Sequence, residues 1–337
     1  MLEELLRRGH EVVLRTLTRE VEAMRSLGFD AAPISSEIEG LAMDDWRART
    51  ATGAQLRAMR RIRARAHQGY RDLSRAVAAT RPDALIVDVL AAGALSAAMS
   101  QERPWCCYRP FPLPPSRIAL QLLGVGRALS AAPLQVYMSA QPFEYPRRDR
   151  PPNVVMVGPC CWEPAGELPV EFAEVENPLV LVTTSTEFQD DGRLVAAALE
   201  ALDGEPFHVV ATGPAASGHR LTGNATALTF APHTPILRRS ACAITHGGMG
   251  VTQKALALGV PVVAVPFGRD QFEVARRVEA CGGGIRLPAR RLNPKRLREK
   301  VRASLACRPG AERVARAFAA AGGAAAAAEA VEERLLG

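Results

Sequence analysis

Apolar residues in the second half of the chain fall into short runs that are separated by amphipathic stretches. The runs have the length of buried strands, and the stretches between them repeat apolar residues at the three- and four-residue spacing of a helix. The predicted order is strand Leu179–Thr183, helix Asp191–Leu202, strands Phe207–Ala211 and Ala227–Phe230, a short helix near Ile236, strand Ala241–Thr245, a helix, strand Val260–Val265, helix Gln271–Cys281 and a strand near Ile285. Strands that alternate with helices predict a parallel sheet covered by helices.

The first half of the chain predicts a second alternation, interrupted by a long segment rich in proline. Its predicted elements are strand Glu11–Leu17, helix Thr18–Leu27, a mostly helical region at Asp44–Thr80, buried strand Ala84–Asp88, helix Ala91–Gln101, and strands Pro104–Tyr108 and Val154–Val157. The proline-rich residues 110–152 predict a long surface excursion that shapes a substrate pocket. The alanine-rich end, Ala324–Leu336, predicts a surface helix.

The length of 337 residues is sufficient for two domains. Residues 158–178 contain prolines and a cluster of acids, which is typical of an interdomain linker. We therefore expect an N-terminal domain at 1–157, a linker at 158–178 and a C-terminal domain at 179–337. The expected fold class is α/β, with two doubly wound, Rossmann-like domains facing a cleft.

Composition excludes several classes of protein. Hydrophobic residues make up 48% of the chain and charged residues 23%, as in globular domains. The sequence pattern shows no apolar run of membrane-spanning length and no export signal. The net charge of +7 comes largely from arginine, but the arginines between 57 and 65 lack interleaved aromatic residues and predict a solvated face, not a nucleic-acid partner. Seven cysteines without a CxxC pair predict no structural zinc site and favour a reducing cytoplasm.

The stretch Thr245–Gly250, with the sequence THGGMG, stands where a predicted strand ends and a predicted helix begins. Main-chain N–H groups at the start of a helix lack partners within it and lie at the positive end of its dipole, so such a junction binds anions, phosphate above all. Gly247, Gly248 and Gly250 let a ligand approach the main chain closely, and the imidazole of His246 adds a donor. The motif therefore predicts a phosphate cradle.

A second polar pair, Asp270 and Gln271, follows the next predicted strand and opens another helix. A phosphate cradle followed one βα unit later by an acid and an amide suits a ligand with a diphosphate at one end and several hydroxyls at the other. A nucleotide sugar fits that description. Asp270 is also typical of a helix N-cap, and the sequence leaves that alternative open.

Residues 232–284 resemble the donor-binding half of a family-1-type glycosyltransferase with the GT-B architecture, from the bacterial branch that decorates natural products with sugars. The resemblance is carried by FAPH at 230–233, THGGMG at 245–250, ALALGVP at 255–261 and the pair Asp270-Gln271. VGP at 157–159 and WEP at 162–164 resemble the family's linker, and TTST at 183–186 resembles its first C-terminal phosphate loop. The resemblance covers most of the chain and is sharpest after about residue 177.

The resemblance implies a role for each matching residue in binding the donor. His246 would donate to the α-phosphate, and the main chain at Gly247, Gly248 and Gly250 would complete the cradle. Ser185 and Thr186 would reach the β-phosphate, and the main chain at Ala231 would hold the edge of the base. Asp270 and Gln271 would hold the hydroxyls of the transferred sugar. Ser185 and Thr186 could also be turn residues only, an alternative that the sequence leaves open. The implied reaction is inverting transfer of a sugar from a nucleoside diphosphate to a hydroxyl of a small hydrophobic acceptor, without a metal ion or cofactor.

The chain departs from the family's pattern at two places. The acid that grips the ribose in the family is replaced by Lys254. In the family, the first strand ends in a glycine–histidine turn, and the histidine of that turn deprotonates the acceptor. This chain begins inside the helix that follows the turn, and His10 belongs to the end of that helix. We therefore expect the first strand, the turn and the base histidine to be missing, so that Asp88, which resembles the acid that orients this base, has no imidazole to orient.

Two other functions remain open at this level. A nucleotide-sugar-binding protein would keep the cradle and lack the base, and a nucleotide-sugar epimerase shares the two-domain architecture. The sequence specifies neither the sugar, nor the base (UDP or TDP), nor the acceptor, nor the oligomeric state.

Overall fold

The computed structural model of the chain describes residues 1–337 apart from 42, 49, 114–119, 122, 148–149, 165, 169, 173, 186–188, 217, 220 and 222. The chain forms two compact units. The N-terminal unit comprises residues 1–138, 147–160 and 321–337, and the C-terminal unit comprises residues 139–146 and 161–320. The expected domains were 1–157 and 179–337, but residues 139–146 group with the C-terminal unit and residues 321–337 with the N-terminal unit. The expected linker at 158–178 is divided between the two units after residue 160.

The N-terminal unit alternates short strands with helices. Its described helices are α1 (Leu2–Arg7), α2 (Val21–Ser26), α3 (Ser36–Glu39), α4 (Ala51–Ala64), α5 (Ala66–Thr80), α6 (Ala92–Met99) and α7 (Gly126–Ala131). Its strands are β1 (Val13–Thr16), β2 (Asp30–Pro33), β3 (Leu85–Asp88), β4 (Trp105–Arg109), β5 (Leu134–Tyr137) and β6 (Val154–Met156).

The strands of the N-terminal unit form two separate parallel sheets. Strands β1 and β2 pair with each other, and the second sheet has the order β3-β4-β5-β6. Within the described residues, β1 and β3 therefore each pair along one side only. An unpaired edge leaves a row of backbone donors and acceptors without ladder partners.

Strand β5 corrects the expectation of a surface excursion over residues 110–152. All its residues, Leu134–Tyr137, are buried, and it pairs with β4 and β6 in the middle of the sheet. Gln135 interrupts the apolar run, but its amide is satisfied because it donates to the carbonyl of Leu129 (2.8 Å) and accepts from Arg109 (3.0 Å).

The C-terminal helix α14 (Gly323–Val331) is a core element of the N-terminal unit, so the expectation of a surface helix is wrong. Ala327, Ala328 and Val331 are buried and pack in one cluster with Leu5 and Val157. By length and composition alone, the helical run Pro294–Leu336 could cross a membrane, with a mean hydropathy of 1.2 over its most apolar stretch. The buried alanines of α14 account for part of that apolar composition.

The C-terminal unit is a single parallel sheet between helices. Its strands are β7 (Leu179–Thr183), β8 (His208–Thr212), β9 (Ala225–Leu228), β10 (Ser240–Thr245), β11 (Val262–Ala264) and β12 (Gly284–Arg286). Its helices are α8 (Gly192–Leu202), α9 (His233–Arg238), α10 (Met249–Ala257), α11 (Gln271–Ala280), α12 (Pro294–Ser304) and α13 (Arg308–Ala320). The strand order is β12-β11-β10-β7-β8-β9. This is the doubly wound Rossmann order, in which the chain runs outward from β7 on both sides.

The reversal of strand order between β7 and β10 determines where this unit can bind a ligand. In such sheets, ligands bind outside the carboxyl ends of the strands at the point of reversal. Thr183 of β7 lies in register with Thr245 of β10 and with Thr212 of β8, so the three strands end at the same level. The residues that follow these threonines are therefore the candidates for a site.

Candidate donor-binding site

The junction between β10 and α10 has a backbone that only glycine suits. Gly247 adopts a φ of +85°, and a Cβ there would lie 3.2 Å from the carbonyl oxygen of Gln271. The side-chain oxygen of Thr245 accepts a hydrogen bond from the N–H of Gly247 at 2.9 Å, which holds the turn. Gly248 is the N-cap of α10. The predicted change from strand to helix at this motif is confirmed.

His246 is held against this turn with one nitrogen unpaired. Its side chain packs on Gly248, where a Cβ would fall 2.3 Å from Nε2, so a side chain at 248 would displace the ring. Among the residues that the structure describes, Nδ1 has no hydrogen-bond partner, although the residue is only 9% exposed. Burial lowers the pKa of His246, and the nearby Asp191 together with a main-chain contact to Thr183 opposes that shift only in part. The ring is therefore neutral near pH 7, with a buried polar atom available to a ligand.

The start of α10 provides main-chain donors beside this ring. The first N–H groups of a helix have no partner within it, and the helix dipole makes this end attractive to anions. No described residue has an atom within 4 Å of a Cβ placed on Gly250, so this side of the helix start is open to a ligand within that set. An imidazole, free amides and open space together form an arrangement that can hold a phosphate group.

The residues after β7 are connected to the start of α11 by a chain of hydrogen bonds. The carboxylate of Asp191 accepts from the N–H of Ser185 at 2.7 Å. The amide of Gln189 donates to the hydroxyl of Ser185 at 3.0 Å and accepts from the amide of Gln271 at 2.6 Å. Ser185 is thus tied to the start of α11, while Thr186, the second residue predicted on this loop, lies outside the described residues.

Gln271 has its side chain turned into the protein. Its amide oxygen accepts from the N–H groups of Phe267 (2.8 Å) and Gly268 (3.0 Å), and the residue is 2% exposed. The side chain therefore fixes the loop that precedes α11. A direct contact of this amide with a sugar hydroxyl stays a prediction.

Asp270 differs from its neighbour because its carboxylate is not used as a helix cap. It occupies the N-cap position of α11 without a side-chain capping hydrogen bond, so the alternative of a structural cap is not supported. Burial raises the pKa of Asp270 to about 6. A half-buried carboxylate with a raised pKa is a candidate functional group.

The segment that leads into α9 is fixed by a contact that the sequence did not predict. Ala231 is buried, and the N–H groups of His233 and Thr234 donate to the carboxylate of Glu163 at 3.0 and 2.9 Å. Lys254 of α10 bonds the same carboxylate, with 2.7 Å between Nζ and Oε2. The unexpected lysine at 254 was the only signal, since a buried cation requires a nearby acid.

Two further residues lie in the N-terminal unit. Asp88 ends β3 with an exposed side chain, and its Oδ1 accepts from the N–H of Leu90 at 2.8 Å. In the described part of the chain no histidine is hydrogen-bonded to it. His10 contacts Glu332, with 2.8 Å between Nε2 and Oε1, which is a structural role at the end of α1.

Within the described residues, no group of three or more histidine, cysteine, aspartate and glutamate side chains is arranged to hold a metal ion. All seven cysteines are free thiols. Independence from a metal ion stays a prediction.

Known proteins similar to this chain are glycosyltransferases of natural-product biosynthesis. Residues 193–333 match the family described as the erythromycin biosynthesis protein CIII-like C-terminal domain. A 4'-demethylrebeccamycin synthase from Lentzea aerocolonigenes is 38% identical over 168 residues, and the UDP-glucosyltransferase avaP from Aspergillus versicolor is 31% identical over 169 residues. These matches cover 48% and 47% of this chain but only 40% and 37% of the two relatives, so the chain matches less than half of each relative's length.

Solved structures with the same fold span the whole chain. The calicheamicin glycosyltransferase CalG4 superposes with a TM-score of 0.78 at 23% identity, covering 99% of this chain and 93% of that one. The spinosyn rhamnosyltransferase SpnG, solved with thymidine diphosphate, superposes with a TM-score of 0.77 at 19% identity, covering 97% and 94%. The expected resemblance and the α/β fold with two Rossmann-like units of the GT-B type are thus confirmed.

Proposed function

Because this chain shares its fold and the domain at 193–333 with glycosyltransferases, we propose that it transfers a sugar from a nucleoside diphosphate to a hydroxyl group of a small hydrophobic acceptor. The observation that carries the proposal is the unpaired, buried Nδ1 of His246 beside the open start of α10. A buried polar atom without a partner is rare in folded proteins and is explained when a ligand supplies the partner.

The chemistry of the site suits departure of a diphosphate. As the bond between the anomeric carbon and the diphosphate breaks, negative charge grows on the leaving oxygens, and donors fixed in place lower the barrier. A neutral His246 can donate one N–H, and the amides at the start of α10 add donors that need no reorganisation. Asp270 and Gln271 would orient the sugar, and the main chain at Ala231 would hold the edge of the base. In-line attack by the acceptor would invert the anomeric carbon.

The acceptor must lose a proton during this reaction, and Asp88 is the proposed residue that orients the base. Its carboxylate contacts no histidine within the described residues, and it accepts from Leu90. This observation favours a second candidate function, a nucleotide-sugar-binding protein that keeps the donor site and turns over slowly or not at all.

Binding and turnover, measured on one preparation, test both functions. Titration calorimetry with UDP and TDP should show binding by the intact chain, and His246→Ala should weaken it about tenfold or more, the equivalent of about 1.4 kcal/mol. Affinity that is unchanged by His246→Ala would overturn the donor site. The control is His219→Ala, because Nε2 of His219 bonds the carbonyl of Ala215 on another loop.

Release of UDP or TDP from their glucose conjugates, with and without hydroxylated aromatic acceptors, then separates the functions. Acceptor-dependent release supports the transferase, and binding without release supports the binding protein. A changed sugar in the absence of acceptor would instead identify an epimerase.

A further inference from the structure

The strap, defined as residues Cys161–Pro164 and Gly166, lies along one side of the donor-binding site within the C-terminal unit. At one end, Sγ of Cys161 lies 3.8 Å from the carbonyl oxygen of Gly250 in α10. At the other end, Gly166 packs directly on Pro232, since a Cβ on this glycine would fall 2.5 Å from Cγ of the proline. The strap therefore contacts both the cradle helix and the segment that contains Ala231.

Glu163 lies between these two ends of the strap and links the start of α9 to α10 by electrostatic contacts. Its carboxylate receives two main-chain N–H groups from the start of α9 and the ammonium group of Lys254 from α10. The side chains of Lys254 and Glu163 are 15% and 17% exposed, so water screens the pair only weakly. With three donors bound, the carboxylate has little capacity left for a ligand hydroxyl.

Glu163 is ionised near neutral pH. Burial acts to raise the pKa of Glu163, but the hydrogen bonds from Lys254 and Thr234 outweigh it and lower this pKa to about 2. The carboxylate therefore keeps its charge from mildly acidic to neutral pH.

We propose that Glu163 and Lys254 are positioning residues that set the separation between the main chain at residues 230–233 and the phosphate cradle at the start of α10. This inference rests on the proposed function. A ligand that bridges both places, a nucleoside diphosphate, depends on that separation. A ligand that occupies the cradle alone, inorganic pyrophosphate, does not.

A comparison of nucleoside diphosphates with inorganic pyrophosphate therefore provides the test. Titration calorimetry with UDP, TDP and inorganic pyrophosphate is carried out on Lys254→Met, Glu163→Gln and the double variant. We expect affinity for the nucleoside diphosphates to fall about tenfold while pyrophosphate affinity changes less than about twofold, and the double variant to be no worse than the weaker single one. Lys254→Arg keeps the charge and should retain most of the affinity.

The matched control is Arg302→Met, which removes an ion pair with Glu205 on the same unit at a position that is 63% exposed. Equal loss of affinity for all three ligands would overturn the proposal, because it would show a general structural effect. Affinities in Glu163→Gln and Lys254→Met that match the control would overturn it too. If Lys254→Met does not fold, Glu163→Gln and Lys254→Arg decide the question by the same comparison.

The result also separates this inference from the proposed function. If the unaltered chain binds none of the three ligands, the donor site itself is wrong. If His246→Ala weakens all three while Glu163→Gln weakens none, the donor site stands and only the positioning role is wrong.

Discussion

Gly250 is a glycine for which the protein itself gives no reason. It lies in the first turn of α10 with no positive φ, and a Cβ there would enter open space. Glycine in a helix costs about 0.5–1 kcal/mol relative to alanine, so its presence here destabilises the helix without a packing benefit. Gly247 and Gly248 differ, because added carbon atoms would meet Gln271 and the ring of His246. We propose that a ligand close to the main chain accounts for the absent side chain at position 250.

Gly250→Ala should therefore change stability and affinity in opposite directions. We expect the free energy of unfolding to stay constant or to rise by up to about 1 kcal/mol, because alanine is the better helix former. The Kd for TDP should rise about tenfold, because the methyl group enters the space of the phosphate. Urea unfolding and calorimetric titration of the same sample measure both quantities.

Gly223→Ala is the control for this prediction, since a Cβ there meets no described atom within 4 Å and Gly223 precedes the edge strand β9, three strands from β10. Unchanged TDP affinity in Gly250→Ala would show that the phosphate does not occupy this side of the helix.

Asp270 should make the stability of the chain depend on pH. Its pKa is raised to about 6 in the folded state, whereas the unfolded value is the ordinary one, 3.8. The folded state thus binds the proton more tightly, and the ionised carboxylate destabilises it. This cost is absent below about pH 4, grows as the pH rises towards 6, and is complete above it.

Asp270→Asn removes this cost and should stabilise the chain at high pH only. The shift corresponds to about 3 kcal/mol at 1.36 kcal/mol per pKa unit, which partial exposure reduces to about 1–2 kcal/mol. Urea unfolding should show that gain near pH 8 and almost none near pH 4. The same variant should bind UDP normally and UDP-glucose more weakly if the carboxylate holds the sugar. Equal stabilisation at both pH values would contradict the linkage.

Much of the donor site could be predicted from sequence because its residues are close together in the chain. Thr245–Gly250 contains the strand end, the turn and the helix start, and local rules describe each part. The contact between Glu163 and Lys254 could not be predicted, because 91 positions separate the two residues. The inward orientation of Gln271 likewise depends on Gln189, which is 82 positions away.

Elements were predictable where apolar periodicity is strong and unbroken. Strand β7 has the predicted bounds, and α11 ends one residue before the prediction. Strand β5 was missed because Gln135 breaks the apolar run within a proline-rich segment, and its hydrogen bonds with Leu129 and Arg109 make the position suitable for a core. Helix α14 was misassigned because alanine is weakly hydrophobic, so tertiary packing decides whether an alanine-rich helix is buried.

The burial of α14 predicts a strong effect of charge on one of its faces. Ala328 is fully buried among apolar side chains, whereas Ala325 on the same helix is exposed. Ala328→Asp should destabilise the N-terminal unit by about 3 kcal/mol or more, because it buries a carboxylate without a partner. Ala325→Asp is the matched control and should change stability by about 0.5 kcal/mol or less.

Hydrogen exchange measures this effect strand by strand. Amides of β4 and β5 should exchange faster in Ala328→Asp than in Ala325→Asp. Equal protection of these strands in the two variants would show that α14 is not part of this core.

At the scale of the whole molecule, the two units should differ in stability. In the described parts of the two units, the strands of the C-terminal unit form one continuous six-stranded sheet, whereas those of the N-terminal unit are divided between β1-β2 and β3-β4-β5-β6. The buried residues of the N-terminal unit accordingly fall into separate clusters around the two sheets. In a divided sheet with unpaired edges, each strand contributes less to stability, so the N-terminal unit should unfold first.

Differential scanning calorimetry should therefore show two transitions that respond to different changes. By the proposed function, TDP binds the C-terminal unit and should stabilise it by about 2.7 kcal/mol when the TDP concentration is about 100 times the Kd, so that only the upper transition moves to higher temperature. Ala328→Asp should lower the lower transition only, since α14 packs in the N-terminal unit. Together these responses assign each transition to one unit independently of any assumption about activity. A single transition that moves as a whole with TDP would show that the two units unfold together, and the division of the N-terminal sheet would then not limit the stability of the chain.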